Sequence, residues 1–256
     1  MTRRVAFHWS GGKDSALALS LLRQRDDVVI ERLVTTVHVD RGESTVHGVP
    51  MALMEAQARS IGIPLQTVAI PGPGLEGYVD AMQTAAVRLR DAGVDAFAFG
   101  DLSSSDVLGL KEAQFGPLGL EVIEPLWGRS SRESVEMFLS SGLCAVTVVV
   151  DAAVLDRSYV GVALDRDFVD RLPPGVDPSG ELGEYHSFVH DGPLFRTPVT
   201  HMISPVRRLE REIRTTEGLR RYAYWLATPQ PVPSAVGGWR GLDRSSSEVT
   251  GGGQIL

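Results

Sequence analysis

The chain has 256 residues, 43% of them hydrophobic and 22% charged, enough for one large domain or for a domain with a smaller companion. A net charge of −7 and a pI near 5.4 exclude a surface built to coat nucleic acid, and the single Cys144 excludes an internal disulfide and a paired-cysteine metal site. No apolar run reaches the ~18 residues of a membrane span and no signal peptide is legible, so the expected compartment is the cytoplasm.

In chain order, a first strand is expected over Arg4–His8 and a first helix over Lys13–Gln24. Between them stands Ser10-Gly11-Gly12-Lys13-Asp14-Ser15. Strand, glycine turn and helix make an anion cradle, because a helix N-terminus offers unpaired N–H groups and a partial positive charge. Gly11 and Gly12 let the backbone come close, Ser10 and Ser15 offer hydroxyls, and Lys13 adds a full charge. Lys13 is one of only two lysines among 25 basic residues, the other being Lys111, which suggests a site that wants a compact ammonium. The string is not a Walker A loop: Phe7 stands where that pattern needs a glycine, and Asp14 follows the lysine.

Strands follow at Ile30–Val39, Leu65–Ile70, Ala96–Phe99 and Glu121–Ile123. Helices alternate with them at Met51–Ile61, Leu75–Ala92, Asp106–Phe115 and Arg132–Ser140. The alternation implies a parallel sheet covered on both faces, with ligands beyond the carboxyl ends of the strands. Gly72-Pro73-Gly74-Leu75-Glu76-Gly77 satisfies the dinucleotide pattern. Pro71 and Pro73 remove N–H donors there, so a turn into a helix is expected instead. Asp101, after Phe99-Gly100, is a candidate either for Mg²⁺ or for a helix cap. Lys111 is expected on a solvated helix face, and Cys144 in a strand as a small core residue.

Beyond residue 142 the character changes. Gly180-Glu181-Leu182-Gly183-Glu184-Tyr185-His186-Ser187 gathers two carboxylates, a histidine and two hydroxyls ahead of a strand at Tyr185–Val189. Such a cluster is costly to bury without a task, and it is expected to face the loop at Ser10–Ser15 across a cleft. Glu184 or His186 is the candidate proton acceptor, and Glu181 is a candidate either for the substrate or for fixing the turn. A helical stretch is expected near Arg207–Ile213 and a strand over Tyr222–Ala227. From Pro229 the chain is rich in Pro, Gly and Ser and is expected to be disordered. His47, His190 and His201 show no metal-ligand spacing.

Together, Ser10–Ser15, His47-Gly48, Phe99-Gly100-Asp101, Pro125-Leu126-Trp127-Gly128 and Gly180–Ser187 resemble the diphthine–ammonia ligase family, over roughly residues 3–200. That family is a branch of the ATP pyrophosphatases, or adenine-nucleotide α-hydrolases, and Leu182 and His186 match its bacterial-like branch. The resemblance implies an α/β fold: a Rossmann-like parallel sheet with helices on both faces, of the HUP or PP-loop type, plus a smaller C-terminal α+β domain. The division expected is 1–142 for ATP, 143–228 for the substrate and 229–256 as a tail. It implies that ATP adenylates a carboxylate, diphthine's in the named family, that ammonia displaces AMP, and that the loop holds pyrophosphate.

ATP and Mg²⁺ are the implied cofactors. Ser10, Gly11, Gly12, Lys13, Asp14, Ser15, Gly100 and Asp101 would bind the nucleotide, with Asp14 and Asp101 toward the metal. Gly180, Glu181, Glu184, Tyr185 and His186 would bind the substrate, and Lys13, Asp14, Glu184 and His186 would act in catalysis. The expected partners are a small or protein-borne carboxylate acceptor and ammonia, with neither membrane nor nucleic acid, and a homodimer is compatible with all of this. Two other readings stay open: a PP-loop ATPase acting on tRNA or another metabolite, and a non-catalytic nucleotide sensor.

Overall fold

A computed structural model describes residues 2–45, 47–71, 76–102, 105–215 and 218–232. The first half alternates β1 (Arg3–His8), α1 (Lys13–Leu22), β2 (Val28–His38), β3 (Glu43–Ser44), α2 (Met51–Ile61) and β4 (Leu65–Ile70). It continues through α3 (Tyr78–Asp91), β5 (Ala96–Ala98), α4 (Ser105–Phe115), β6 (Glu121–Ile123) and α5 (Ser131–Ser140). β1 pairs in parallel with β2 on one side and β5 on the other; β4 extends the sheet beyond β2, and β6 beyond β5. The winding therefore reverses between β1 and β5. β3 adds a short antiparallel edge at the end of β2.

Successive strand residues face opposite sides, and the side chains sort accordingly. Val5 and Phe7 enter one core with Leu19 of α1, Leu53 of α2 and Phe138 of α5. Ala6 enters the other with Met82 and Ala86 of α3 and Phe115 of α4. This is a Rossmann-like sheet with helices on both faces. Among the described residues no helix is long and apolar enough to cross a membrane.

The second half holds β7 (Cys144–Asp151), α6 (Arg166–Asp170), β8 (Tyr185–Asp191), β9 (His201–Ile203), β10 (Arg207–Thr215), β11 (Gly218–Leu226) and β12 (Pro229–Pro231). Four of these form an antiparallel sheet in the order β10-β11-β7-β8, and β9 pairs with β12. It is a small α+β unit, and its core is not separate. Ala145, Tyr185 and Phe188 belong to the same apolar cluster as Phe7 and Leu19.

Four local expectations are corrected. Arg207–Ile213 is strand, not helix: Leu209 and Ile213 have helical spacing, but β10 pairs residue for residue with β11 from Arg207↔Leu226 to Thr215↔Gly218. Cys144 is exposed, because it opens β7 on the outward face and it is Ala145 that turns inward. Lys111 is not solvated; its side chain is 14% exposed and ion-paired. Pro229–Pro231, expected as the start of a disordered tail, forms β12. Residues 233–256, the rest of that tail, lie outside the described residues, as do Gly72–Leu75 of the dinucleotide-like string.

Candidate functional site

Where the winding of a parallel sheet reverses, the loops beyond two neighbouring strands part and leave a crevice for a ligand. Here the two loops are Trp9–Gly12 after β1 and Phe99–Asp101 after β5. The second comes up against the first turn of α1: a Cβ on Gly100 would stand 2.9 Å from Ser15 Cα and 3.0 Å from the Asp14 carbonyl oxygen. Only glycine lets the chain after β5 come this near to α1.

The loop at Ser10–Ser15 is held from within and from across the molecule. Ser10 Oγ donates to Ser15 Oγ, and Ser15 Oγ donates to the Gly12 carbonyl, each at 3.0 Å. From the second half, β8 lies against the loop. The Lys13 N–H donates to Ser187 Oγ at 3.1 Å, and the Val189 N–H donates to the Gly11 carbonyl at 2.9 Å. Gln57 of α2 is fully buried and clamps this seam. Its Nε2 donates to Gly11 O and Val189 O, and its Oε1 accepts the Trp9 indole N–H at 2.9 Å. Gly11 takes φ 78°, and a Cβ on Gly12 would meet His47 at 2.7 Å.

The turn before β8 is built on two carboxylates. Asp177 accepts the N–H groups of Ser179 and Glu181. Glu184, 6% exposed, accepts the Asp177 N–H at 3.0 Å and the Leu182 N–H at 2.9 Å. The Tyr185 hydroxyl donates to Pro178 O at 2.6 Å. Glu184 is therefore a strut of the turn.

Between loop and turn lies a cavity of about 250 Å³. On the loop side it is lined by Ser10, Lys13, Asp14, Ser15, Gly100 and Asp101. The turn side supplies Gly180, Glu181, Gly183, Tyr185, His186 and Ser187, and His8 and His47 complete the wall. Of the expected site residues, Gly11, Gly12 and Glu184 are not in the lining; the glycines stand behind the loop and Glu184 behind the turn.

Charge in the cavity is arranged in opposed groups. Lys13 Nζ, almost fully buried, pairs with Asp14 at 2.6 Å and lies 5.4 Å from the centre of the Tyr185 ring. Glu181 is an exposed residue at the cleft mouth; partial burial of its carboxyl among the lining groups, and then the nearby Asp14 charge, push it up to about 7. His8 and His186 are pushed down to about 4, first by burial and then by Lys111 and Lys13 respectively. His47, its ring 4.9 Å from that of His186, is held well below the usual imidazole range by burial and then by His186. All three imidazoles are therefore neutral at neutral pH.

Asp101 is committed elsewhere. It pairs with Lys111, which also meets Glu124 at 2.6 Å and lies 4.1 Å from the centre of the Phe99 ring. Among the described residues no group of three His, Cys, Asp or Glu could hold a metal by itself. Mg²⁺ needs less than that, since it is commonly held by one or two carboxylates together with a nucleotide's phosphates. Asp14, in the cavity lining, fits such a shared site, and Asp101, paired with Lys111, does not.

His8 and His47 stand at strand ends where a ligand is expected and Ser187 in the polar cluster expected to face the loop, though none of the three is given a role by the sequence; Gln57 and Glu124 support the site from behind. One signal was available: a polar Gln57 within the apolar stripe of Leu53, Met54, Ala58 and Ile61. Trp127 is 38% exposed, and neither it nor Arg129 lines the cavity.

Two family descriptions match the chain: the diphthamide synthase N-terminal domain over residues 3–108 and the diphthamide synthase C-terminal domain over residues 131–221. Between them they cover both walls of the cavity, loop and turn alike. Among curated proteins, none matches the chain significantly.

Proposed function

We propose a reaction from one premise: the chain belongs to the diphthamide synthase family, that of the diphthine–ammonia ligases. Membership implies an enzyme of the ATP-pyrophosphatase kind that uses ATP. The reaction we infer is adenylation of a carboxylate followed by amidation with ammonia. A carboxylate oxygen of the acceptor attacks the α-phosphorus of ATP, and pyrophosphate leaves with the bonding pair. Ammonia then attacks the acyl carbon, AMP departs, and the new amide nitrogen gives up a proton.

The observation that carries this reading is the opposition of the two walls. An anion cradle with a buried ammonium, Lys13, faces a turn whose one carboxylate in the lining, Glu181, is tuned near neutrality. Lys13 would move from Asp14 to the phosphates and stabilise charge there as the α–β bond breaks. Mg²⁺, when bound with ATP at Asp14, would neutralise further phosphate charge. Glu181 would take the proton, a task for which a carboxyl near 7 is well matched. His186 remains a second candidate acceptor on the same wall. We also divide the chain near residue 142, so that β7 opens the acceptor lobe over 143–228.

Transfer of sulfur to tRNA is disfavoured. Cys144 pairs across from Asp191 at the far end of β8 and does not line the cavity. The test is incorporation of ¹⁵N. The protein, ATP, Mg²⁺, ¹⁵N-ammonium chloride and fractionated cell extract are incubated, and products are read by mass spectrometry. A ¹⁵N-amide that appears only with ATP is expected. AMP formation without ¹⁵N in any product would hand the site to another acceptor chemistry.

A further inference from the structure

Three serine hydroxyls line the cavity, Ser10, Ser15 and Ser187. Their protons are not equally free. Ser10 spends its proton on Ser15, and Ser15 spends its own on the Gly12 carbonyl. Ser187 Oγ accepts the Lys13 N–H, and among the described residues no acceptor takes the Ser187 proton. Ser187 is 2% exposed, and its position is fixed. Two residues on, the Val189 N–H is bonded to Gly11 O, and Gln57 clamps both Gly11 and Val189.

We infer that Ser187 is part of the anion cradle: its hydroxyl passes the Lys13 N–H on to a phosphate oxygen, so that the second lobe contributes a ligand to pyrophosphate. A hydroxyl that accepts from an N–H is a stronger donor for it, and a phosphate oxygen is the strongest acceptor the cavity would receive. The Lys13 amide, first in line at the N-terminus of α1, is already taken and reaches the anion only through Ser187. The cradle is therefore incomplete without β8. The same strand carries His186 and follows directly on the turn of Glu181, so phosphate and acceptor are gripped by one element.

This rests on the proposed function only in naming the ligand as the pyrophosphate end of ATP. Its test needs no turnover: calorimetric titration of the full chain with inorganic pyrophosphate. Ser187→Ala is expected to weaken binding by about tenfold or more, as loss of a hydrogen bond to a charged group does. Ser187→Cys fills the space with a poor donor and is expected to weaken it similarly while the fold is kept. Wild-type affinity in a folded Ala or Cys variant would make Ser187 a strut only and overturn the inference, as would a wild-type chain that binds no pyrophosphate. A chain that binds pyrophosphate through Ser187 yet releases ADP would lose the proposed reaction and keep this inference.

Discussion

Glu184 accepts the backbone N–H of Asp177 at 3.0 Å and so closes the turn that forms one wall of the cavity. Its second oxygen takes the Leu182 N–H. A glutamine has one acceptor oxygen where the carboxylate has two. Glu184→Gln is therefore expected to cost about 1.5–3 kcal/mol of stability, the loss of one hydrogen bond to a charged group. Urea unfolding checks it. ATP affinity should stay near wild type, because Glu184 does not line the cavity.

In the proposed reaction Glu181, and not Glu184, takes the proton. Its carboxyl is raised to about 7, so the base form grows as pH rises through neutrality. Amide formation should follow that rise. In Glu181→Gln the rising limb should vanish, and the rate at pH 8 should fall about 10²-fold. A pH–rate profile of the variant reads both. Persistence of the limb would move the proton acceptor to another residue, with His186 the nearest candidate on the wall.

Stability should fall in mild acid. His8 and His186 titrate near 4 in the fold, below the 6.5 of a free imidazole. As pH drops from 6.5 toward 4, the unfolded chain gains protons that the folded chain refuses, so stability is lost over that window. Glu181 acts in the opposite sense between 7 and its free value of 4.5, because the folded chain there holds the extra proton. The two histidines, joined by His47, whose burial lowers it in the same direction, outweigh it. Thermal midpoints at pH 7.5, 6 and 5 should descend, and His186→Gln should flatten the slope.

Lys111 and Glu124 form a pair shielded from water, with side chains 14% and 3% exposed. Removing one partner strands the other charge. Lys111→Met is expected to destabilise by about 3 kcal/mol. Lys111→Met with Glu124→Gln should recover most of that loss, since the glutamine carries no charge and still accepts the Asp101 N–H. Denaturant midpoints of the single and double variants decide it.

The parallel sheet was legible because its signals are local. Val5-Ala6-Phe7 and Ala96-Phe97-Ala98 are apolar on both faces, as strands covered by helices must be. The loop at Ser10–Ser15 was legible for the same reason: the part of the cradle that it supplies lies in six consecutive residues. What escaped depends on distant partners. Ser187 meets Lys13 from 174 positions away, and Gln57 meets Trp9 from 48. The roles of Glu181 and Glu184 could not be told apart by spacing, since only the closed turn shows which carboxylate faces inward to N–H groups. β10 misled because Leu209 and Ile213 are four apart, a helical interval that pairing with β11 overrides.

The proposed reaction cuts ATP between its α- and β-phosphates at the Lys13 loop. Phosphorus-31 NMR of a reaction holding ATP, Mg²⁺, ammonium and an acceptor-bearing extract reads it directly, with Lys13→Ala as the control. AMP and pyrophosphate should appear in equal amounts with wild type and be nearly absent with Lys13→Ala. ADP and inorganic phosphate as the primary products, or equal yields from both proteins, would overturn that reaction.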